Sequence, residues 1–318
     1  MQFTVRAPAT SANLGPGFDC LGIAWNLYGR FVFHTREEAD DVRALARYRH
    51  MAEVSRPADR NNMVLQAYWA YAEALNIALP DVGVFIDSDI PSTRGLGSSA
   101  ACIVAGCTAA RHLARMIDGG KSKGRLTDAS VLRVATAVEG HPDNVAPALY
   151  GGLQLSQLEK GRVNAVPLHV AESLRFFVMI PDVVMSTKSS RGVLKDTVQR
   201  GDAVHNLSAL GFLLEGLRTG KQRLIRLGLS DRLHEPQRRP LIPDIHRIEA
   251  LVETSGATGM VLSGSGSTLL VFSHQQQDAE VERILSSGLP DKWQLKRVMP
   301  DFSGAMVMVG EGRQADLR

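Results

Sequence analysis

The sequence feature that most constrains the fold is a glycine-rich segment at residues 91–101, which reads PSTRGLGSSAA. An uninterrupted run of small and apolar residues, 102–110, follows it directly. This pattern predicts a loop that passes straight into a buried helix. Gly95 and Gly97 permit backbone conformations that a Cβ would penalise, and they let another group approach the main chain closely.

The start of this predicted helix is suited to an anion. Ser98 and Ser99 fall where the first backbone N–H groups lack carbonyl partners and the helix dipole is positive. Together with the neighbouring Arg94, these donors form a cradle of the kind that holds phosphate at other helix N-termini. A lone Gly-x-Gly-Ser would fit an ordinary capped helix equally well, but the full string is more specific.

Two other glycine motifs resemble parts of this chain and are excluded. Gly120-Lys121-Ser122 looks like the end of a P-loop, but Arg115 stands where the first P-loop glycine belongs. The segment 97–101 has alanine where the serine-hydrolase elbow requires its second glycine. Neither a P-loop nucleotide site nor a serine hydrolase is therefore expected.

Composition restricts the classes of partner. The 318 residues are sufficient for two domains, and a net charge of +3 without a dense basic patch does not favour nucleic acid. The three cysteines lack CxxC spacing, so we expect neither a disulfide framework nor a zinc site. No signal-peptide core and no apolar stretch near the ~20 residues of a membrane span is found. We expect a cytoplasmic protein that binds neither nucleic acid nor membrane.

Periodicity predicts alternating strands and helices of an α+β protein. A strand at 3–7 should lead into a polar binding loop at 8–19, in which Asn13 and Asp19 carry the chemistry. The other predicted elements are helices at 42–50, 62–77, 127–139, 203–217 and 244–254, strands at 81–87, 153–157, 174–180, 260–262 and 269–272, and a polar turn at 186–191.

The end of the helix at 127–139 concentrates polar groups, in the sequence EGHPDN at residues 139–144. A satisfied cap and turn is the simpler interpretation, above all for His141 alone. However, Glu139 supplies a carboxylate oxygen of the kind that Mg²⁺ prefers when it bridges nucleotide phosphates.

Three blocks of sequence resemble the three motifs of one superfamily of small-molecule kinases, which groups galactokinase, homoserine kinase, mevalonate kinase and phosphomevalonate kinase (GHMP kinases). They are PATSANLGPGFD at 8–19, PSTRGLGSSAA at 91–101 and GATGMVLSGSGST at 256–268. The first block has the form typical of the homoserine kinases. HPDNVAPALYGG, STKSSR and HEPQR also resemble segments of that family, so the match extends from residue 3 to about residue 272.

The resemblance implies an α+β fold of two domains. Residues 1–165 would form a domain like the second domain of ribosomal protein S5, with a left-handed βαβ crossover. Residues 166–318 would form a ferredoxin-like domain, and ATP and the acceptor would lie in the cleft between the two. Residues 264–267 would brace the phosphate loop from the second domain.

The resemblance also implies the ATP and metal ligands. Ser98 and Glu139 would hold Mg²⁺, and Asn62 would lie near the adenine. The residues implied to bind the phosphates are Pro91, Ser92, Thr93, Arg94, Gly95, Leu96, Gly97, Ser98, Ser99, Ala100 and Ala101.

The implied acceptor is L-homoserine, a zwitterion with one hydroxyl group. Asp19 would bind its ammonium group, and Arg191 and Arg238 would bind its carboxylate by forked hydrogen bonds. The residues implied to lie around the hydroxyl and the transferred phosphoryl group are Asn13, His141, Asn144 and Thr187.

The implied reaction is in-line transfer of the γ-phosphoryl group to the hydroxyl, as in threonine biosynthesis, with catalysis mainly by positioning and charge neutralisation. We expect no strong general base, because an amide at Asn144 cannot usefully accept a proton, and Asp143 is the only close alternative. Another hydroxyl acceptor and a non-catalytic ATP-binding sensor of the same fold stay open as alternatives. The sequence also leaves a homodimer open.

Overall fold

The structure is a computed structural model that describes residues 1–35, 52–54, 62–119, 124–185, 187–309 and 313–314. The helix predicted at 42–50 lies outside these residues.

The described strands and helices follow one another in small groups along the chain. The strands are β1 (Gln2–Asn13), β2 (Gly17–Thr35), β3 (Ala52–Val54), β4 (Val82–Ser88), β5 (Leu153–Glu159), β6 (Arg162–Leu168), β7 (Leu174–Pro181), β8 (Gly259–Leu262), β9 (Leu269–His274), β10 (Trp293–Val298), β11 (Met306–Val309) and β12 (Arg313–Gln314). The helices are α1 (Met63–Leu75), α2 (Ser98–Ile117), α3 (Asp128–Glu139), α4 (Val145–Tyr150), α5 (Thr187–Gly192), α6 (Arg200–Thr219), α7 (Gln222–Gly228), α8 (Glu235–Arg238), α9 (Ile245–Thr254) and α10 (Asp278–Gly288), with a 3₁₀ turn at Arg239–Leu241.

The first sheet is antiparallel and has the order β12-β11-β1-β2-β4-β3, with β5 paired to β2 and β6. The long β2 pairs with β4 over residues 29–35 and with β5 over residues 21–23. Helix α2 is the central helix of this half, because most of its side chains are buried and it packs on α1, α3 and β1. A Cβ at Gly106 would lie 2.1 Å from the Val64 carbonyl oxygen, so glycine is what lets α1 and α2 pack this closely.

The second sheet has the order β10-β7-β9-β8, with all neighbours antiparallel. If these four strands are numbered by their order in the chain, their order across the sheet is 4-1-3-2. Helices connect the first strand to the second and the third to the fourth, which is the ferredoxin-like arrangement predicted for this half. After β10 the chain returns to the first sheet, where β11 pairs with β1. The predicted division between residues 165 and 166 falls inside β6 and stays a prediction.

The predicted loop at residues 8–19 is wrong except at the turn 14–16, since β2 already begins at Gly17. β1 continues to Asn13, and residues 7–17 are buried. The polar side chains there are satisfied at long range, because Thr10 donates to the Asn144 amide oxygen at 2.7 Å and the Ser11 hydroxyl accepts from the Trp25 indole at 2.8 Å. A strand rich in hydroxyl groups can lie in the core when each hydroxyl has such a partner.

Most other predicted elements are confirmed, with ends shifted by a few residues. Helix α1 begins after Asn62, whose side-chain oxygen accepts hydrogen bonds from the first turn, as expected of an N-cap. The predicted turn at 186–191 is instead the short helix α5 over its described part. Among the described residues, no helix is both long and apolar enough to cross a membrane.

Candidate active site

A cleft of about 260 Å³ is lined by residues from both halves of the chain. Thirteen of the predicted site residues line it: Asn13, Asp19, Ser92, Thr93, Gly95, Gly97, Ser98, Ser99, Glu139, His141, Asn144, Arg191 and Arg238. These residues come from β1, β2, the loop before α2 and the first turn of α2, the end of α3 and the segment after it, and helices α5 and α8. The fold thus brings side chains more than 200 residues apart to one cavity.

The loop before α2 has the backbone that an anion cradle requires. Gly95 and Gly97 have φ angles of 76° and 67°, in the left-handed region that favours glycine. Gly97 is the N-cap of α2, and no side chain of the described residues caps the first N–H groups of that helix. Donors at the start of a 20-residue helix therefore remain available to a ligand in the cleft.

The second half of the chain braces this loop through hydrogen bonds. The Ser263 hydroxyl donates to the Gly95 carbonyl oxygen at 2.6 Å, and the Thr268 N–H donates to the Arg94 carbonyl oxygen at 3.1 Å. A Cβ at Gly95 would lie 2.2 Å from the Ser263 carbonyl oxygen. The main chain of the loop before α2 therefore packs directly against the main chain of the residues between β8 and β9.

Several residues predicted to bind the nucleotide lie outside the lining of the cleft. Leu96, Ala100 and Ala101 are buried in the core. Pro91 and Arg94 line a separate cleft, where the Arg94 guanidinium donates to Asp182 at 2.7 Å. Asn62 caps α1 with its side-chain oxygen.

Glu139 ends α3 and faces the phosphate loop. Its Oε2 accepts a hydrogen bond of 2.6 Å from the Ser99 hydroxyl, whereas Ser98 lines the cleft beside it. Burial raises the pKa of Glu139 above its ordinary value, even though the Ser99 hydrogen bond opposes the shift. Among the described residues, no lysine or arginine forms an ion pair with this partly desolvated carboxylate.

The residues after α3 form a hydrogen-bonded group around Asp143. The Asp143 carboxylate, 2% exposed, lies 2.7 Å from His141 Nδ1 and accepts from the Asn144 N–H at 2.9 Å. Burial alone lowers the pKa of His141, but the hydrogen bond and the negative charge of Asp143 outweigh it, so the pKa is raised overall. Because Thr10 donates to the Asn144 amide oxygen, the Asn144 side-chain orientation is set, and its NH₂ group makes no hydrogen bond with a described residue.

Asp19 and Arg191 form a forked ion pair across 172 residues of sequence. Arg191 Nη2 and Nη1 donate to the two Asp19 carboxylate oxygens at 2.7 and 3.1 Å. This hydrogen bonding raises the pKa of Arg191. Both side chains are about one-third exposed and line the cleft, so a ligand in the cleft can contact both of them.

Arg238 differs from Arg191 because it is buried and lacks an acidic partner. It is 2% exposed, and no carboxylate of the described residues pairs with it. Burial lowers the pKa of Arg238, and the charge of Arg191 adds to the effect. A buried guanidinium without a paired anion is energetically costly, so an anionic ligand that binds in the cleft would be strongly favoured.

Two features of the site were not predicted from the sequence. Phe18 lies under both arginines, with its ring centroid 5.4 Å from the Arg238 and 5.7 Å from the Arg191 guanidinium carbon. Asn13 has a φ of 69° and uses both side-chain ends within the protein, donating to the Gly264 carbonyl oxygen and accepting from the Asp19 N–H. Thr187 begins α5, and its side chain lies outside the described part of the chain.

Two family models match the chain. The GHMP kinases N terminal domain matches residues 62–152, and the GHMP kinases C terminal model matches residues 213–291. The crystal structure of homoserine kinase from Cytophaga hutchinsonii is similar with a TM-score of 0.79 at 27% identity, covering 96% of this chain and 97% of that one. L. major mevalonate kinase shares the fold at a TM-score of 0.63 and 16% identity, over 97% of this chain and 96% of that one.

The sequence relatives are closer still. The homoserine kinase of Desulfitobacterium hafniense is 40% identical over 309 residues, which cover 96% of this chain and 99% of that protein. The homoserine kinase of Crocosphaera subtropica is 38% identical over 287 residues, which cover 89% of each. These similarities confirm the predicted α+β kinase fold. The chain belongs to the GHMP kinases and, within them, to the homoserine kinase family.

Proposed function

We propose that this protein transfers the γ-phosphoryl group of ATP to the side-chain hydroxyl of L-homoserine, which yields O-phospho-L-homoserine and ADP. One observation carries the proposal: a single cleft is lined both by a backbone cradle for phosphate and by an acid and two arginines suited to a zwitterion. The homoserine kinases to which the chain is similar support the same reaction.

The charged residues supply the amino-acid end of the site. The homoserine ammonium would bind the Asp19 carboxylate, and its carboxylate would bind the free donors of Arg238 and Arg191. Because Asp19 and Arg191 already contact each other as a fork, a zwitterion can join the pair at both ends without leaving either charge unsatisfied. A sugar would leave the buried Arg238 without an anion, and mevalonate, which has a carboxylate but no ammonium group, would leave Asp19 without an ammonium partner. Both points favour an amino acid.

The phosphate end of the site would use the loop at residues 91–101. The N–H groups at the start of α2 and the Ser98 and Ser99 side chains would hold the ATP phosphates. Asn62 is proposed to lie near the adenine.

The residues facing this loop fit a magnesium ion. The Glu139 carboxylate is partly desolvated, and Ser98 lines the same cleft, so the two would hold Mg²⁺ together with phosphate oxygens. No cluster of three or more potential metal-ligating side chains is found among the described residues, and a magnesium–nucleotide site does not need one. When bound, Mg²⁺ would neutralise charge on the transferred phosphoryl group.

The acceptor hydroxyl would be oriented by neutral groups. Thr10 fixes the amide of Asn144, whose free NH₂ group would donate to the homoserine oxygen, with Asn13, His141 and Thr187 around it. As the bond between the hydroxyl oxygen and the γ-phosphorus forms and the bond to the ADP oxygen breaks, the hydroxyl proton would pass to solvent water. Asp143 is occupied by His141 and the Asn144 N–H, which supports catalysis by positioning rather than by a strong general base.

Three proposals concern the chain as a whole: a division into domains at residues 165 and 166, a cytoplasmic location and a homodimer. Limited proteolysis tests the first, cell fractionation the second, and sedimentation velocity the third.

The function is tested by ADP release with a panel of acceptors at saturating Mg·ATP. L-homoserine is expected to support turnover, whereas its methyl ester, 3-aminopropan-1-ol, mevalonate and galactose are expected to support little. Preference for an uncharged alcohol would overturn the acceptor assignment. ATP binding without ADP release on any acceptor would indicate a non-catalytic sensor.

A further inference from the structure

We propose that His234 is a positioning residue, which holds the Arg238 guanidinium in place for the substrate carboxylate without neutralising its charge. The inference rests on the proposed function, because Arg238 is there assigned to the carboxylate of homoserine.

His234 connects Arg238 to the first half of the chain. The imidazole is fully buried, and its Nδ1 lies 3.1 Å from Arg238 Nη1. Its Nε2 lies 2.9 Å from the Gly15 carbonyl oxygen, in the turn between β1 and β2. The arginine is therefore held against a segment more than 200 residues away.

These two contacts determine which ring nitrogen carries the proton. The Gly15 carbonyl oxygen can only accept a hydrogen bond, so Nε2 of His234 must donate. The Arg238 Nη1 group can only donate, so Nδ1 of His234 must accept. A neutral imidazole protonated at Nε2 satisfies both partners, whereas a doubly protonated ring would point an N–H at a guanidinium.

The ring of His234 is itself held on several sides. The buried Asp231 carboxylate accepts from the backbone N–H groups of His234 and Glu235, each at 2.8 Å, and Asn206 donates to its other oxygen at 2.7 Å. Asp231 Oδ2 also lies 3.7 Å from His234 Nε2. Phe18 stacks on the imidazole with ring centroids 5.0 Å apart. A side chain held in this way can set the position of its neighbour.

The partners of Arg238 are neutral, and this is what distinguishes it from Arg191. Its Nε donates to the Ser190 carbonyl oxygen at 3.2 Å and its Nη1 to His234, while Nη2 has no hydrogen-bond partner among the described residues. A carboxylate in place of His234 would hold the guanidinium equally well, but it would compete with the substrate. An imidazole and a carbonyl group leave the positive charge uncompensated, and an edge of the guanidinium is free for the ligand.

The test compares two substitutions of His234. His234→Phe keeps the ring and its stacking on Phe18 but removes both hydrogen bonds, whereas His234→Gln retains one acceptor and one donor. We expect His234→Phe to raise the KM for L-homoserine about tenfold, with kcat and the KM for ATP little changed, since about one hydrogen bond to a charged group is lost. His234→Gln should recover most of this loss, and His246→Phe, at an exposed histidine, should have no effect.

A double-mutant cycle with Arg238→Ala separates positioning from a general structural role. If His234 acts through Arg238, then His234→Phe adds little to the KM of the Arg238→Ala variant. Full additivity of the two effects, or an unchanged KM in a folded His234→Phe variant, would overturn the proposal. Failure of the unmodified enzyme to phosphorylate L-homoserine would instead overturn the proposed function.

Discussion

The two ends of the cleft are suited to charged ligand groups by different means. The phosphate end is a contiguous loop whose donors are backbone N–H groups at the start of α2, so its donors all lie in one segment of the chain. The amino-acid end is assembled from Asp19, Arg191 and Arg238, which lie on three segments and meet only in the folded chain. A phosphate group has three equivalent oxygens and can be held by main-chain donors, whereas a zwitterion requires opposite charges at a defined separation.

The comparison indicates how the two ends should respond to substitution. Substitutions at the phosphate end should change the KM for ATP and the kcat. Substitutions at the amino-acid end should change the KM for the acceptor. Four variants test this separation, from the largest expected effect on activity to the smallest.

The largest effect is expected for Glu139→Ala. Loss of the carboxylate would leave Mg·ATP without its one charged protein ligand among the residues proposed, so kcat should fall at least about a hundredfold, while the KM for homoserine changes little. The measurement is steady-state ADP release over a magnesium titration, with the melting temperature as a check on folding. Glu159→Ala, at an exposed carboxylate on β5, is the control. Turnover near the unmodified rate at saturating magnesium would contradict the metal assignment.

Arg238→Ala should affect the other end alone. Removal of a charged hydrogen-bonding group costs on the order of 1.5–3 kcal/mol, so the KM for homoserine should rise about tenfold to a hundredfold. The KM for ATP should be unchanged, and Arg191→Ala should behave similarly. Arg226→Ala removes an exposed arginine at the end of α7 and serves as the control. An equal rise in both KM values would show that the two ends are not separable.

Gly95→Ala tests whether the phosphate loop depends on its close contact with the second half. The new Cβ would lie 2.2 Å from the Ser263 carbonyl oxygen and 2.6 Å from that of Gly266, so the loop must shift. We expect the KM for ATP to rise about tenfold, the effect of losing roughly one charge-assisted hydrogen bond.

Gly161→Ala is a matched control for this variant. Gly161 has the same φ of 76°, but a Cβ there would meet nothing within 4 Å. The backbone strain is therefore shared, whereas Gly161 lacks the steric contact and lies in the turn between β5 and β6. Equal effects of the two substitutions on the KM for ATP would mean that the contact with Ser263 is unimportant.

His112→Phe should leave both ends of the cleft unchanged and alter only the pH dependence of stability. His112 lies in the second half of α2, where burial and the charges of Arg111 and Arg115 lower its pKa from 6.5 to about 4. The folded state therefore binds the proton less readily than the unfolded state. The stability is fully present above pH 6.5 and falls as the pH drops toward 4, by up to about 3 kcal/mol.

The phenylalanine variant lacks this titration, so it should lose less stability than the unmodified protein between about pH 7.5 and about pH 5. Urea unfolding at the two pH values measures the difference, and His246→Phe, at a histidine that is 96% exposed, is the control. Equal losses in His112→Phe and the unmodified protein would contradict the assignment to His112.

The sequence allowed much of the local structure to be predicted. Helix α1 begins where Asn62 provides a cap, and the glycines before α2 adopt the left-handed conformations expected of them. These features depend on interactions within a few residues. The error at residues 8–13 has the same origin, because their polar composition indicates a loop when only neighbours are considered. Their hydroxyl groups are satisfied by Asn144, Trp25 and Ser263, which no local pattern reveals.

The sequence by itself determined the family, the phosphate loop and the residue types needed for a zwitterion, since all of them are carried by short motifs that can be identified separately. Only the tertiary structure decided how those residues are used. It directs Arg94 to Asp182 and pairs Glu139 with the Ser99 hydroxyl. Among the described residues, it gives Arg191 a carboxylate partner and leaves the buried Arg238 without one. The physical reason is that charge state, orientation and free donors depend on partners distant in the chain, and burial makes each of those partners energetically decisive.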